Sequence, residues 1–249
     1  MNKETDLEGV KRIAKGLLNV SILETDYSPM IVSHPFTKSG IVAMVDGDDF
    51  VHLNIVENKE SFNKWAEMMS RHIDEAKNVY HIYYLLNDSY RLLFLVDVAQ
   101  YLSQEDYSVI LADAWVGCEY ANMDANVSKK EILEHFKKAD KEKLMSESEL
   151  EIYDGLDESV VVYRGVSSKN KSNVKALSWT LNFEKAKWFA ERWGKRGTIY
   201  SAVIDKKDIL AYFDSKSEDE VVVDFNGLQD IRVVDKPLPK PQPNAKIME

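Results

Sequence analysis

The chain has 249 residues, 45% of them hydrophobic, which is enough for a large core and excludes disorder over most of its length. Acidic residues outnumber basic ones, 42 to 32, and no long Lys/Arg stripe offsets the net charge of -10, which argues against a general duplex-binding protein. The single cysteine, Cys118, excludes an internal disulfide and an all-Cys metal site, and it suits a reducing compartment.

The N-terminal residues Met1-Asn2-Lys3-Glu4-Thr5-Asp6 are polar and mixed in charge, with no apolar stretch behind them, so no secretion signal is expected. Residues up to about 56 read as β-rich. Ile41 to Val45 and Phe50 to Ile55 are apolar runs joined by Asp46-Gly47-Asp48-Asp49, a hairpin signal because Gly and Asp tolerate positive φ. The same aspartates lack EF-hand spacing and a closing Glu, so they read as a turn and not a calcium loop.

From 57 to 150 the pattern turns helical. Val79 to Leu102 is the most apolar span, but Asn87, Asp88, Arg91 and Asp97 interrupt it, which predicts a pair of buried helices and no membrane span. Ser103 with Asp106, Ser128 with Glu131 and Ser146 with Glu149 mark helix starts, the two Glu cases as capping boxes. Ile110, Leu111, Ala114, Trp115 and Cys118 recur at helical spacing and read as core, as do Ile132, Leu133, Phe136 and Ala139.

After Asp157 short strands take over. Val160 to Arg164 and Ala176 to Thr180 are the first two. Phe183 to Trp193 reads as a helix with Asn182 at its N-cap, and Phe183, Trp188 and Phe189 are taken as packing residues. Gly197 to Ile204 and Val221 to Phe225 are two further strands. The prolines at 237, 239, 241 and 243 exclude a ladder and predict an extended tail. The five histidines show no metal spacing, so no metal is expected.

Three short elements carry chemistry when sheet pairing brings them together. Arg164 ends an apolar strand, where a guanidinium can clamp a phosphate or carboxylate, and Gly165 allows close approach to the backbone. Ser178 and Thr180 stand two apart, so both hydroxyls share a strand face and Trp179 takes the other. Glu218 and Glu220 are also two apart, so in an extended segment both address one cleft, and different burial gives two carboxylates different roles.

In this order, Tyr163-Arg164-Gly165, Ser178-Trp179-Thr180, a helix with Ala186 to Ala190, and Glu218-Asp219-Glu220 resemble the Arg-Ser-Glu class of mono-ADP-ribosyltransferases. The likeness covers Val160 to Phe225, with Trp179 in the middle of the family's Ser-Thr-Ser. It implies an α+β fold with a split β-sandwich core over 151–236 preceded by a helical subdomain, which 57–150 could supply; the N-terminal β-rich segment over 1–56 is extra, with no counterpart in the family, and the Pro-rich tail spans 237–249.

By the same resemblance, Arg164 would bind NAD phosphate and ribose and Gly165 would offer its backbone to the nicotinamide amide. Ser178 would hold the catalytic glutamate, with Thr180 supporting the strand. Glu220 would stabilise the oxocarbenium-like cation formed as nicotinamide leaves, and Glu218 would orient or deprotonate the acceptor. Asp219, between them, would point away as a solvated loop acid, and Leu210 to Ser217 would be the acceptor-recognition loop, with Tyr212 and Phe213 its aromatics. NAD would be consumed as a substrate, and arginine on a protein would be the acceptor.

Two other readings stand beside it. One is ADP-ribosylation of RNA or DNA bases, and the other a catalytically inactive module that binds NAD or a partner. A cytoplasmic chain of this kind suggests a toxin, defence protein or phage effector with an antitoxin or immunity partner, and no membrane partner.

Overall fold

In the computed structural model, which describes residues 3–46, 49–118, 121–167, 173–194 and 197–239, helices and antiparallel sheets form a mixed α+β chain. It divides into two units between Cys118 and Glu119. The helical stretch 57–150 is therefore shared between them.

The first unit opens on α1 (Leu7–Leu18), where a β-rich segment is expected. Charged residues at Lys11, Arg12 and Lys15 obscure the signal, yet Val10, Ala14 and Leu18 recur every four residues and are buried as one stripe. Asp6 caps the helix by accepting from the Gly9 N–H at 3.0 Å. The rest of the segment is β: β1 (Leu23–Thr25), β2 (Ser28–His34) and β3 (Thr37–Ser39) form one small sheet, and β4 (Ile41–Asp46) pairs with β5 (Asp49–Asn54). Their register runs from Ile41↔Asn54 to Asp46↔Asp49, as the hairpin reading expects, while Gly47 and Asp48 lie outside the described residues.

Four helices follow: α2 (Lys59–Glu75), α3 (Val79–Tyr83), α4 (Arg91–Val98) and α5 (Gln104–Gly117). The apolar span 79–102 folds as the expected helix pair, with Ile82, Tyr83, Phe94, Leu95 and Val98 buried. Among the described residues no helix is long and apolar enough to cross a membrane. Trp115 is buried as expected of a core face.

His34 is fully buried in this unit, its Nδ1 accepting from the Phe36 N–H at 3.1 Å and its ring edge-on to Trp65 at 5.3 Å. Burial lowers its pKa below the ordinary 6.5, with the backbone at Leu18 and Val20 opposing. The unfolded chain then binds the extra proton first, so His34 costs no stability above pH 6.5 and increasingly costs it below. Urea unfolding from about pH 8 to about pH 5 should show a shallower decline for His34→Gln than for wild type, by at most about 1.4 kcal/mol per pH unit. Parallel declines would show that His34 titrates alike in both states.

The second unit begins with α6 (Lys129–Lys138), α7 (Lys141–Leu144) and α8 (Glu147–Asp154). Ser146 and Glu149 close a complete capping box on α8, and Ser128 accepts from the Glu131 N–H to start α6. Then come β6 (Ser159–Val166), β7 (Ser178–Thr180), α9 (Phe183–Glu191), β8 (Thr198–Asp205), β9 (Ile209–Phe213), β10 (Glu220–Val223) and β11 (Gln229–Val233). The six strands lie in the order β11-β8-β6-β7-β10-β9, all pairs antiparallel.

This sheet is two triplets held by one pairing. β6 and β8 match over eight residue pairs, Ser159↔Asp205 to Val166↔Thr198, whereas β6 meets β7 only at Tyr163↔Thr180. α9 packs on the first triplet, where Tyr163, Phe183 and Ala186 form a cluster with Val161, Ile199 and Val234. The second triplet is covered by α7 and α8: Lys141 and Tyr153 both donate to the Ile209 carbonyl, and the Tyr212 N–H donates to the Met145 sulfur. Of the tail, residues 237–239 are described and lie outside any strand, with the Leu238 N–H donating to the Tyr163 hydroxyl at 2.8 Å.

β9 corrects the loop reading of 210–217. All five of its residues are buried, Tyr212 and Phe213 included, so neither can meet an acceptor. Trp188 corrects a packing assignment in the other direction, since it is 57% exposed while Phe183 is buried. Helices pack through one face, and Trp188 falls outside the Phe183, Ala186, Ala190 stripe.

Candidate active site

The point where β6 and β7 part is where the predicted residues gather. Continuing the Tyr163↔Thr180 register by two residues would set Gly165 opposite Ser178, but that pair does not form. The reason lies in two side chains. Asn122 accepts from the Ser178 N–H at 3.2 Å and from the Leu177 N–H at 2.9 Å, and the Arg164 guanidinium donates to the Ser178 carbonyl. Both backbone groups of Ser178 are thereby taken, and the ladder stops.

Gly165 is left with its peptide turned into the opening. Its neighbour on β8 is Ile199, whose carbonyl accepts from the Val234 N–H on the far side. In an antiparallel ladder both groups of a residue point the same way, and residues facing each other alternate between bonded and unbonded pairs. Gly165↔Ile199 is an unbonded pair, so the Gly165 N–H and C=O face the gap, and among the described residues neither has a partner. The lack of a side chain is explained from the other face: a Cβ here would lie 2.0 Å from the Ala186 carbonyl oxygen and 2.6 Å from the Ala190 nitrogen of α9.

Arg164 is half-buried, with Nε donating to the Asn173 carbonyl at 3.1 Å. A guanidinium has five N–H donors, and the two bonds to Asn173 and Ser178 among the described residues leave three for a ligand. Loss of solvent pulls its pKa down to about 10, against the opposing charge of Glu220, so it remains cationic at neutral pH. Glu220 is thus within electrostatic reach of Arg164. It opens β10, half-buried, paired with Thr180 on one side and Phe213 on the other. Ser178 pairs with Val222 on the same two strands, two positions along, and so shares a sheet face with Glu220.

Glu218 departs from the extended geometry expected of it. Ser217 and Asp219 have φ of 52° and 47°, left-handed conformations that make 217–219 a turn, and the strand starts only at Glu220. The buried Thr180 hydroxyl donates to the Glu218 carbonyl at 2.7 Å and accepts from the Asn182 N–H at 3.0 Å. Thr180 therefore supports the turn that carries Glu218 as well as its own strand. The half-buried Glu218 carboxylate has no partner among the described residues.

Asp219 does not point idly to solvent. Its carboxylate accepts from the Tyr212 hydroxyl at 2.9 Å and from the Asn182 side-chain amide at 3.0 Å. Its N–H donates to the Asp214 carboxylate at 3.1 Å, and its carbonyl accepts from the Leu181 N–H.

Sequence reasoning missed Asn122, Asn173 and Lys129. Lys129 donates to the Lys175 carbonyl at 2.6 Å and to the Asn173 side chain at 3.4 Å, and lies 5.0 Å over the Phe225 ring. Burial lowers its pKa, and the charge of Arg164 adds to this, which puts a second cation near the first. Their only signal in the sequence is residue type, because none of them lies within a few positions of Arg164. Among the described residues no cluster of His, Cys, Asp or Glu could hold a metal ion. Comparison with family models, with curated proteins and with solved structures finds no match.

Proposed function

We propose that the second unit is a mono-ADP-ribosyltransferase that consumes NAD. The observation that carries this is the pair made by Arg164 and Gly165 where the sheet splits: a cation with donors to spare beside a peptide that has no partner among the described residues. An unpaired peptide N–H and C=O match a carboxamide such as that of nicotinamide, which needs one acceptor and one donor. Arg164 and Lys129 supply positive charge for a pyrophosphate. The two three-stranded halves joined at one residue pair support a split β-sandwich of the ADP-ribosyltransferase kind.

In this reading Glu220 accepts a hydrogen bond from the ribose 2′-hydroxyl. As the C1′–N bond breaks, its electron pair leaves with nicotinamide, and the carboxylate stabilises positive charge spread over C1′ and the ring oxygen. That interaction is strongest in the transition state, which makes it accelerating. Glu218 holds the acceptor and takes its proton as the acceptor's lone pair bonds to C1′. An anion in that position suits a guanidinium, so arginine on a protein is the acceptor proposed. The cytoplasm is the proposed site of action, as a toxin, defence protein or phage effector.

Incubation of wild type with NAD should release nicotinamide, and labelled NAD added to separated protein and RNA pools should label protein. Label appearing in RNA alone would overturn the arginine assignment, and NAD bound without turnover would favour an inactive binding module.

A further inference from the structure

Asp219 occupies the position between the two glutamates, and its surroundings give it a task of its own. A left-handed backbone is unfavourable for a non-glycine residue, and Asp tolerates it better than most. The turn holds two such residues, Ser217 and Asp219, on either side of Glu218. What offsets that cost at Asp219 is a pair of bonds to its carboxylate from two separate elements. Tyr212, buried in β9, donates to one carboxylate oxygen of Asp219, and Asn182 donates to the other. Asn182 also caps α9, accepting from the Glu184 and Lys185 N–H groups, so Asp219 ties the turn to the helix start as well as to the sheet.

Glu218 and Glu220 depend on this tie to different degrees. Glu220 is a ladder residue between Thr180 and Phe213, and strand pairing on both sides holds it whether or not Asp219 is bonded. Glu218 has no ladder. Its backbone direction is set by the two left-handed residues and by the bond from Thr180 to its carbonyl. Release of the Asp219 carboxylate removes the ties to Tyr212 and Asn182 and leaves the Thr180, Asp214 and Leu181 bonds on this segment, so Glu218 loses part of its support while Glu220 keeps its ladder.

We infer that Asp219 is a positioning residue that aims Glu218, so that it governs transfer of ADP-ribose to the acceptor and not cleavage of NAD. This rests on the proposed ADP-ribosyltransferase reading. A merely structural role would lower both reactions together, whereas positioning of Glu218 separates them.

The experiment measures nicotinamide release and labelling of agmatine, a small arginine analogue, in parallel for wild type, Asp219→Ala, Asp219→Asn and Tyr212→Phe. Asp219→Ala should retain nicotinamide release within about threefold and lose agmatine labelling by about 10²-fold, the size expected of a reacting group misplaced by about 1 Å. Asp219→Asn keeps a left-handed preference and an oxygen for Tyr212, and should recover most of the labelling. Tyr212→Phe should lower labelling in the same selective way, by less than Asp219→Ala.

Equal losses of both activities, or no loss of labelling, would overturn the inference while leaving NAD cleavage established. A wild type that releases nicotinamide but does not label agmatine would overturn Glu218's role and the inference with it. A wild type that releases no nicotinamide would overturn the transferase reading itself.

Discussion

Glu220→Gln should lower nicotinamide release by 10²-fold or more, the scale of a main electrostatic contributor to a transition state. The substitution is nearly isosteric. Gln keeps an oxygen to accept from a ribose hydroxyl but loses the negative charge that a developing cation requires. The fold should tolerate it, because Glu220 is half-buried and its strand is held by backbone pairing to Thr180 and Phe213. The measurement is initial-rate nicotinamide release with thermal unfolding of both proteins run beside it. Equal rates at matched stability would remove Glu220 from the chemistry and the transferase reading with it.

Gly165→Ala should destabilise the second unit by about 1–3 kcal/mol or more, the range for forcing an atom into a filled space. The new Cβ would lie 2.0 Å from the Ala186 oxygen and 2.6 Å from the Ala190 nitrogen, and only the third contact, Phe189 Cβ at 2.8 Å, belongs to a side chain. Backbone atoms cannot rotate away, so α9 has to lift from β6. Calorimetry should show a lower Tm by several degrees, and nicotinamide release should fall because Arg164 and the Gly165 peptide move with the strand. Gly16→Ala on α1 is the matched control. A Cβ there meets nothing within 4 Å, and replacing a helical glycine should stabilise by about 0.5–1 kcal/mol. An unchanged Tm for Gly165→Ala would refute the close approach of helix and strand.

Local signals were readable wherever the cause was local. The pairing of β4 with β5, the Asn182 cap of α9, the Ser146–Glu149 box and the apolar strand behind Glu220 each rest on residues within a few positions of one another. Arg164, Ser178, Thr180 and Glu220 could be picked out for the same reason, as polar residues at the ends of short apolar strands. Helix α1 escaped because four-residue spacing is weak among lysines and arginines, and β9 escaped because Asp214 to Asp219 dominated its neighbourhood.

What no local pattern carries is the pairing. Ser178 could have completed a ladder with Gly165, and nothing in either strand forbids it. Asn122, 56 residues away, and a guanidinium bond close that option and end the pairing of β6 with β7. The turn at 217–219 is left-handed at two residues because Thr180, Asn182 and Tyr212 supply bonds from three other elements. Residue types and their order along the chain therefore reveal which groups are available for chemistry. Which of them meet, and in what direction they point, depends on long-range hydrogen bonds that form only once the strands have found their register.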